Sequence, residues 1–161
     1  MNIAELVRYL KKRFVRIAVF PLRLFPVRNN RVLLINDMSS SFADNLKYIG
    51  LELKKRDRDF EVIYSGHALK CVEQLNNLGI IPVELNSIRY FYYGLTSKFV
   101  ITNSGGISYL PLKRKQISIN TWHGGGAYKK MGMDMYEDTK MFRKDLILAA
   151  KETDYVLATC E

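Results

Sequence analysis

The sequence predicts an α/β protein: a parallel β-sheet with helices on both faces. Short apolar runs alternate with segments of helical periodicity, and strand starts recur roughly 20 to 40 residues apart. The apolar runs are continuous, as in strands buried on both sides, where a sheet with one wet face would show alternation. A hydrophobic fraction of 48% over 161 residues, with 12% aromatics, is enough for one domain with a true core.

The elements follow in order. Arg31–Asn36 reads as a buried strand, preceded by a break at Asn29-Asn30. Asp37–Ser41 is a polar loop. Phe42, Leu46, Ile49 and Leu53 place a helix over 42–56. Phe60–Tyr64 is a second strand and His67–Asn77 a second helix, with His67 read as a helix-start residue. Ile80–Val83 is a third strand, and Pro82 assigns it to a sheet edge because proline cannot donate to a ladder. Ser87–Leu95 is a tyrosine-rich helix. Lys98–Thr102 and Gln116–Ile119 are the fourth and fifth strands, with no clear helix between them. Asp138–Glu152 is a charged helix, and Tyr155–Thr159 a sixth strand. Parallel neighbours require crossovers, expected to be right-handed. The chain stops two residues after that strand, which reads as the front half of something longer.

The net charge of +9 is concentrated at the amino end. Residues 1–31 carry eight basic side chains against Glu5, while the rest of the chain carries 17 basic against 15 acidic. Ile3, Leu6, Val7, Leu10, Phe14, Ile17 and Ala18 follow helical spacing, with Arg8, Lys12 and Arg16 toward the other side and Lys11 at the flank. A proline-broken apolar stretch, Val19–Pro26, follows. No run reaches the roughly 18 apolar residues that cross a bilayer, and the interspersed charges do not fit a secretory signal. The composition is that of an interfacial anchor on an anionic membrane surface, with Arg8, Lys11, Lys12, Phe14, Arg16, Phe20 and Phe25 as membrane contacts. A helix packed on its own domain with solvated charges is the alternative. Nucleic acid is not expected as a partner, since charge is the only feature pointing to it.

Cys71 and Cys160 lie far apart without paired spacing, against a disulfide framework or zinc site and in keeping with a reducing compartment. No metal-ligand set or cofactor motif is found. GxxxxGK[ST] is absent, and GxGxxG does not follow the first strand.

The densest chemical signal is Asn120-Thr121-Trp122-His123-Gly124-Gly125-Gly126-Ala127-Tyr128-Lys129-Lys130, directly after the fifth strand. Ligands of open α/β sheets bind outside the carboxyl ends of strands. Glycines there let backbone N–H groups approach an anion, and lysines add charge. His123 has the pKa range of a general base for an attacking hydroxyl. Thr121, Trp122, Gly124, Gly125, Gly126, Lys129 and Lys130 are the candidates for holding phosphate or substrate. Asn103, Ser104 and Gly105 follow the fourth strand. If strands four and five are neighbours, the two loops share a crevice.

These residues resemble the CDP-glycerol:poly(glycerophosphate) glycerophosphotransferase family of teichoic-acid and capsule-building enzymes. The resemblance rests on Asn103-Ser104 after an aliphatic strand, then Asn120-Thr121-Trp122-His123-Gly124 with Lys129-Lys130-Met131-Gly132 behind it, and covers about residues 31–161. It implies a two-domain glycosyltransferase-B-like fold of which this is the amino-terminal, acceptor-side half. His123 would be the base, and CDP-glycerol or CDP-ribitol would bind a second domain. The family's Thr-Pro-Leu-Lys after His-Gly is replaced here by Gly125-Gly126-Ala127-Tyr128-Lys129, which leaves the acceptor open.

The resulting expectation is a membrane-associating segment over 1–30 and a Rossmann-like acceptor domain over 31–161. Together they would serve a polyol-phosphate transferase acting on a lipid-linked acceptor, peripheral on the cytoplasmic face of a bacterial plasma membrane. Alone, the chain would be inactive for want of the donor site. The alternative is a non-catalytic membrane-attached module that binds a phosphorylated polymer or a partner.

Overall fold

The computed structural model describes residues 3–57, 59–104, 107, 109–122 and 140–157. The elements are α1 (Ile3–Ala18), a 3-10 turn (Phe20–Leu24), β1 (Arg28–Asn36), α2 (Asp44–Arg56), β2 (Glu61–Gly66), α3 (Val72–Asn77), β3 (Ile81–Glu84), α4 (Ile88–Thr96), β4 (Ser97–Thr102), β5 (Ile117–Asn120), α5 (Lys140–Lys151) and β6 (Tyr155–Val156). All strand pairs are parallel. The six-stranded sheet has the order β3-β2-β1-β4-β5-β6. The α/β, Rossmann-like expectation holds, and β3 with its Pro82 is an edge strand.

Both faces of the sheet are covered. Val32, Leu34, Val62, Tyr64 and Ile101 pack with Phe42, Leu46 and Leu75 from the α2 and α3 side. Leu33, Ile35, Ile63, Val83 and Val100 pack with Tyr90, Phe91 and Leu95 of α4 on the other side. Alternate residues of each strand thus feed opposite cores, each large side chain contributing about 1.5–3 kcal/mol of burial. α4 begins with a cap: Ser87 Oγ accepts from Tyr90 N–H at 3.1 Å.

The β4–β5 connection has no helix among its described residues. Ile107 and Leu110 fill the core there, and Leu110 sits so close over Gly94 of α4 that a Cβ at Gly94 would lie 2.6 Å from Leu110 Cδ2. Gln116, read as a strand residue, precedes β5. Its buried amide donates at 2.7 Å to both Gly94 O and Ser97 O, tying the connection to the start of β4.

Among the boundaries that differ from the sequence reading, three stand out. β1 starts at Arg28, so Asn29-Asn30 lies within the strand; these residues are exposed, and Asn30 donates to Asp59 O at 2.9 Å. α2 starts at Asp44, although Phe42 is buried all the same, edge-on to Tyr64 at 4.9 Å. α3 starts at Val72, so His67 does not open a helix. Residues 67–71 are drawn into a loop by bonds from Ala68 N to Glu84 Oε1 and from Lys70 N to Ser40 O, each 2.9 Å. β6 ends at Val156, so Leu157 falls outside the strand. Asp138 and Thr139 of the charged helix, and Ala158 and Thr159 of the sixth strand, lie outside the described residues.

α1 docks by a mixed face, on which Val15 packs against the α4-side core beside two ion-paired cations. Lys12 Nζ meets Asp145 of α5 at 2.6 Å, and Arg16 bridges Glu152 at 2.6 Å and Leu110 O at 2.9 Å. Its apolar stripe faces outward: Ile3 is 79% exposed, Phe14 71% and Ile17 73%, and the stripe continues through Phe20 to Leu24 at 88%. No described helix is long and apolar enough to cross a membrane.

Candidate functional site

The order of the strands reverses between β1 and β4: the chain builds β1, β2 and β3 outward in one direction, then returns to place β4 on the other side of β1. At such a switch point the loops leaving the two strands part in opposite directions and open a crevice at the carboxyl ends. An asparagine closes each apolar run here: Asn36 ends β1, Asn103 follows β4 and Asn120 ends β5. All three are buried.

Buried amides must be paired, and these pair with the loops around the crevice. Asn36 Oδ1 accepts from Met38 N and Ser39 N, each at 3.1 Å, turning the chain out of β1. Its Nδ2 reaches Tyr64 Oη at 3.0 Å and Asp44 Oδ2 at 3.4 Å. Asn103 Nδ2 donates to the same Asp44 oxygen at 3.3 Å. Asp44, the first residue of α2, therefore spans the β1–β4 switch point. The Tyr64 hydroxyl donates to Ser41 O at 2.8 Å, and burial pushes its pKa up, so it stays a neutral donor.

The second half of the cluster joins β4 to β5. The strands pair through Thr102↔Asn120, which meets the condition for a shared crevice. Thr121 N donates to Thr102 O at 2.8 Å, extending the ladder past the strand ends. Asn120 Nδ2 donates to Ser104 O at 2.7 Å, and its Oδ1 accepts from Trp122 N at 2.8 Å. Asn45 of α2 reaches across to Trp122 O at 3.0 Å. Trp122 is held at φ +59°, a left-handed conformation costing a non-glycine residue about 1–2 kcal/mol. Asp44 has the same φ of +59°. Two such residues at one crevice mark a backbone shaped by its surroundings.

Of the sequence candidates, Asn103, Ser104, Thr121 and Trp122 come together here. Gly105, His123, Gly124, Gly125, Gly126, Lys129 and Lys130 lie outside the described residues; His123 is the next residue in the chain after Trp122. Asn36, Asp44, Asn45 and Asn120 received no role from the sequence. The available signal was the asparagine closing three of the apolar runs, the first, fourth and fifth. No group of three or more His, Cys, Asp and Glu side chains that could hold a metal ion is found among the described residues.

The amino-terminal candidates divide. Lys11, Phe14, Phe20 and Phe25 are exposed, whereas Lys12 and Arg16 are turned into the protein by their ion pairs. Arg8 lies within α1.

Comparison with known proteins gives one consistent picture. A family model described as CDP-Glycerol:Poly(glycerophosphate) glycerophosphotransferase matches residues 17–161. The teichoic acid poly(glycerol phosphate) polymerase of Bacillus spizizenii (strain ATCC 23059 / NRRL B-14472 / W23) is 26% identical over 140 residues, covering 81% of this chain and 35% of that protein. Among solved structures, the wall teichoic acid polymerase TagF, in a variant soaked with CDPG, aligns with a TM-score of 0.69 at 18% identity, over 95% of this chain and 40% of that one. TagF without a named substitution aligns with a TM-score of 0.62 at 19% identity and the same coverage. These structures share the fold, and the chain spans little more than a third of the length of its relatives.

Proposed function

Because the chain belongs to the CDP-Glycerol:Poly(glycerophosphate) glycerophosphotransferase family, we propose that it is the acceptor-side part of a polyol-phosphate transferase, with its reaction centre at the β4–β5 crevice. The observation that carries this is the direct pairing of β4 with β5, which sets Asn103-Ser104 beside Asn120-Thr121-Trp122. His123 takes the proton from an acceptor hydroxyl. The hydroxyl oxygen then forms a bond to the glycerol-bearing phosphorus of CDP-glycerol, and the bond from that phosphorus to CMP breaks. Gly124 to Gly126 offer backbone N–H groups, and Lys129 and Lys130 positive charge, to the phosphoryl oxygens. Gly105 is assigned to the same phosphate-holding role. The buried Asn network positions both loops, which is the main demand of phosphoryl transfer.

The donor, CDP-glycerol or CDP-ribitol, is held by a second domain of a two-domain glycosyltransferase-B-like protein, and residues 31–161 alone do not turn over. The segment before β1 is the membrane contact of a peripheral enzyme on the cytoplasmic face of a bacterial plasma membrane, facing a lipid-linked acceptor. Support comes from α1, whose apolar stripe points outward while Lys12 and Arg16 secure its polar side. Such an orientation suits an interface better than water. Phe14, Phe20 and Phe25 enter the acyl boundary, with Lys11 at its edge.

The test is transfer from radiolabelled CDP-glycerol and CDP-ribitol to a lipid-linked acceptor, using the full-length protein and its His123→Ala variant. Donor-specific transfer that His123→Ala abolishes is expected. Transfer that survives His123→Ala removes the base, and no transfer by a folded, membrane-bound protein leaves a binding module.

A further inference from the structure

At the opposite, amino-terminal end of the sheet lies a cleft of ≈ 530 Å³ between the 3-10 turn, the start of β4 and the chain leading into β5. Four cations line it, Arg23, Lys98, Lys113 and Lys115, and none of its lining residues is acidic. Its rim carries Leu24 and Phe25, both exposed, which continue the outward apolar stripe of α1. Lys98 Nζ donates to Lys115 O at 2.6 Å, and Lys113 Nζ donates to Phe25 O. Each uses one of three N–H donors on a backbone carbonyl, so the ammonium groups are positioned without being neutralised.

We propose that this cleft binds the headgroup phosphate of an anionic membrane lipid. A phosphate needs several convergent N–H donors and an excess of positive charge, and the cleft supplies both. An apolar rim beside it suits a headgroup whose acyl chains continue into the bilayer, whereas a free anion would gain nothing from Leu24 or Phe25. Burial, and after it the nearby charge of Arg23, lowers the Lys113 pKa, as for an ammonium partly withdrawn from water beside a like charge. The crevice holding Asn103 and Asn120 lies at the other end of strands about 20 Å long. Seating the lipid here therefore leaves that crevice uncovered. The inference rests on the membrane-facing reading of α1 and adds a defined headgroup site to it.

The test is sedimentation of the full-length protein with vesicles of phosphatidylcholine alone and of phosphatidylcholine with about one third phosphatidylglycerol. The triple variant Lys98→Gln, Lys113→Gln, Lys115→Gln is compared with a charge-matched control on the α2 and α3 side of the sheet, Lys47→Gln, Lys55→Gln, Lys70→Gln. The cleft variant should lose at least about 10-fold in affinity for the anionic vesicles, the control less than about threefold. Arginine at the three cleft positions should restore binding, which separates lost charge from lost folding. Equal losses in the two variants overturn the site while leaving membrane association standing. Wild-type protein that binds neither vesicle overturns both. Protection of the cleft by glycerol phosphate, with vesicle binding of the cleft variant unchanged, would instead assign a soluble phosphate and overturn the lipid.

Discussion

Replacing Asn120 by alanine should loosen the β4–β5 side of the crevice. Its side chain is buried and makes two bonds that connect separate loops: Nδ2 to Ser104 O at 2.7 Å and Oδ1 from Trp122 N at 2.8 Å. Truncation leaves a carbonyl and an N–H without these partners in a site with little access to water. Each such loss costs about 1–2 kcal/mol, for a total of about 2–4 kcal/mol. The bond to Trp122 also offsets part of the cost of its positive φ, so removing it frees that residue to relax. Asn120→Asp keeps the acceptor for Trp122 N but turns a carboxylate oxygen toward Ser104 O, so it should recover only part of the loss. The assay has two readouts. Urea unfolding followed by far-UV circular dichroism gives the stability change, and native emission of Trp122, the chain's single tryptophan, reports on the crevice itself. A destabilisation in the stated range with red-shifted native emission is expected. A loss below about 0.5 kcal/mol with unchanged emission would refute the claim that this side chain organises the two loops.

Two further outcomes follow from the packing and from the buried phenols. Gly94→Ala places a methyl group 2.6 Å from Leu110, which is itself fully buried. Overpacking of about 1–3 kcal/mol should exceed the helix-propensity gain of about 1 kcal/mol, so a net loss in urea stability is expected and a gain would refute the contact. Burial raises the pKa of Tyr64, and that of Tyr90 more strongly. A group whose folded pKa lies above its unfolded one contributes stability that is intact below the unfolded value, here about pH 10, and is lost as pH rises beyond it. Stability should therefore hold to about pH 9 and decline above pH 10. Tyr64→Phe should lose about 1–2 kcal/mol at neutral pH, through its bonds to Asn36 and Ser41, and show a shallower alkaline decline. An unchanged alkaline slope in both Tyr64→Phe and Tyr90→Phe would contradict this account.

Local pattern was enough for the elements and the fold class. Leu33-Leu34-Ile35 and Val100-Ile101 are continuous apolar runs because both faces of each strand are buried, and that pattern needs no partner to be read. Pro82 assigned its strand to an edge for an equally local reason, the missing N–H. The misplaced boundaries were those where a distant group intervened. Lys70 N bonds to Ser40 O across the end of the sheet, and a helical pattern over 67–71 yields to that loop.

Strand order, helix orientation and the crevice were decided by tertiary structure. Nothing within β4 states that it returns beside β1, and that single pairing creates the switch point where Asp44 meets Asn36 and Asn103. The amphipathic pattern of α1 was plain, yet which face turns inward depended on Asp145 and Glu152, more than 130 residues away. Hydrophobic periodicity records that a helix has two faces. Only the groups waiting on the domain, the two acids and the core that receives Val15, determined that the face of Lys12 and Arg16 docks while most of the apolar stripe is left outside.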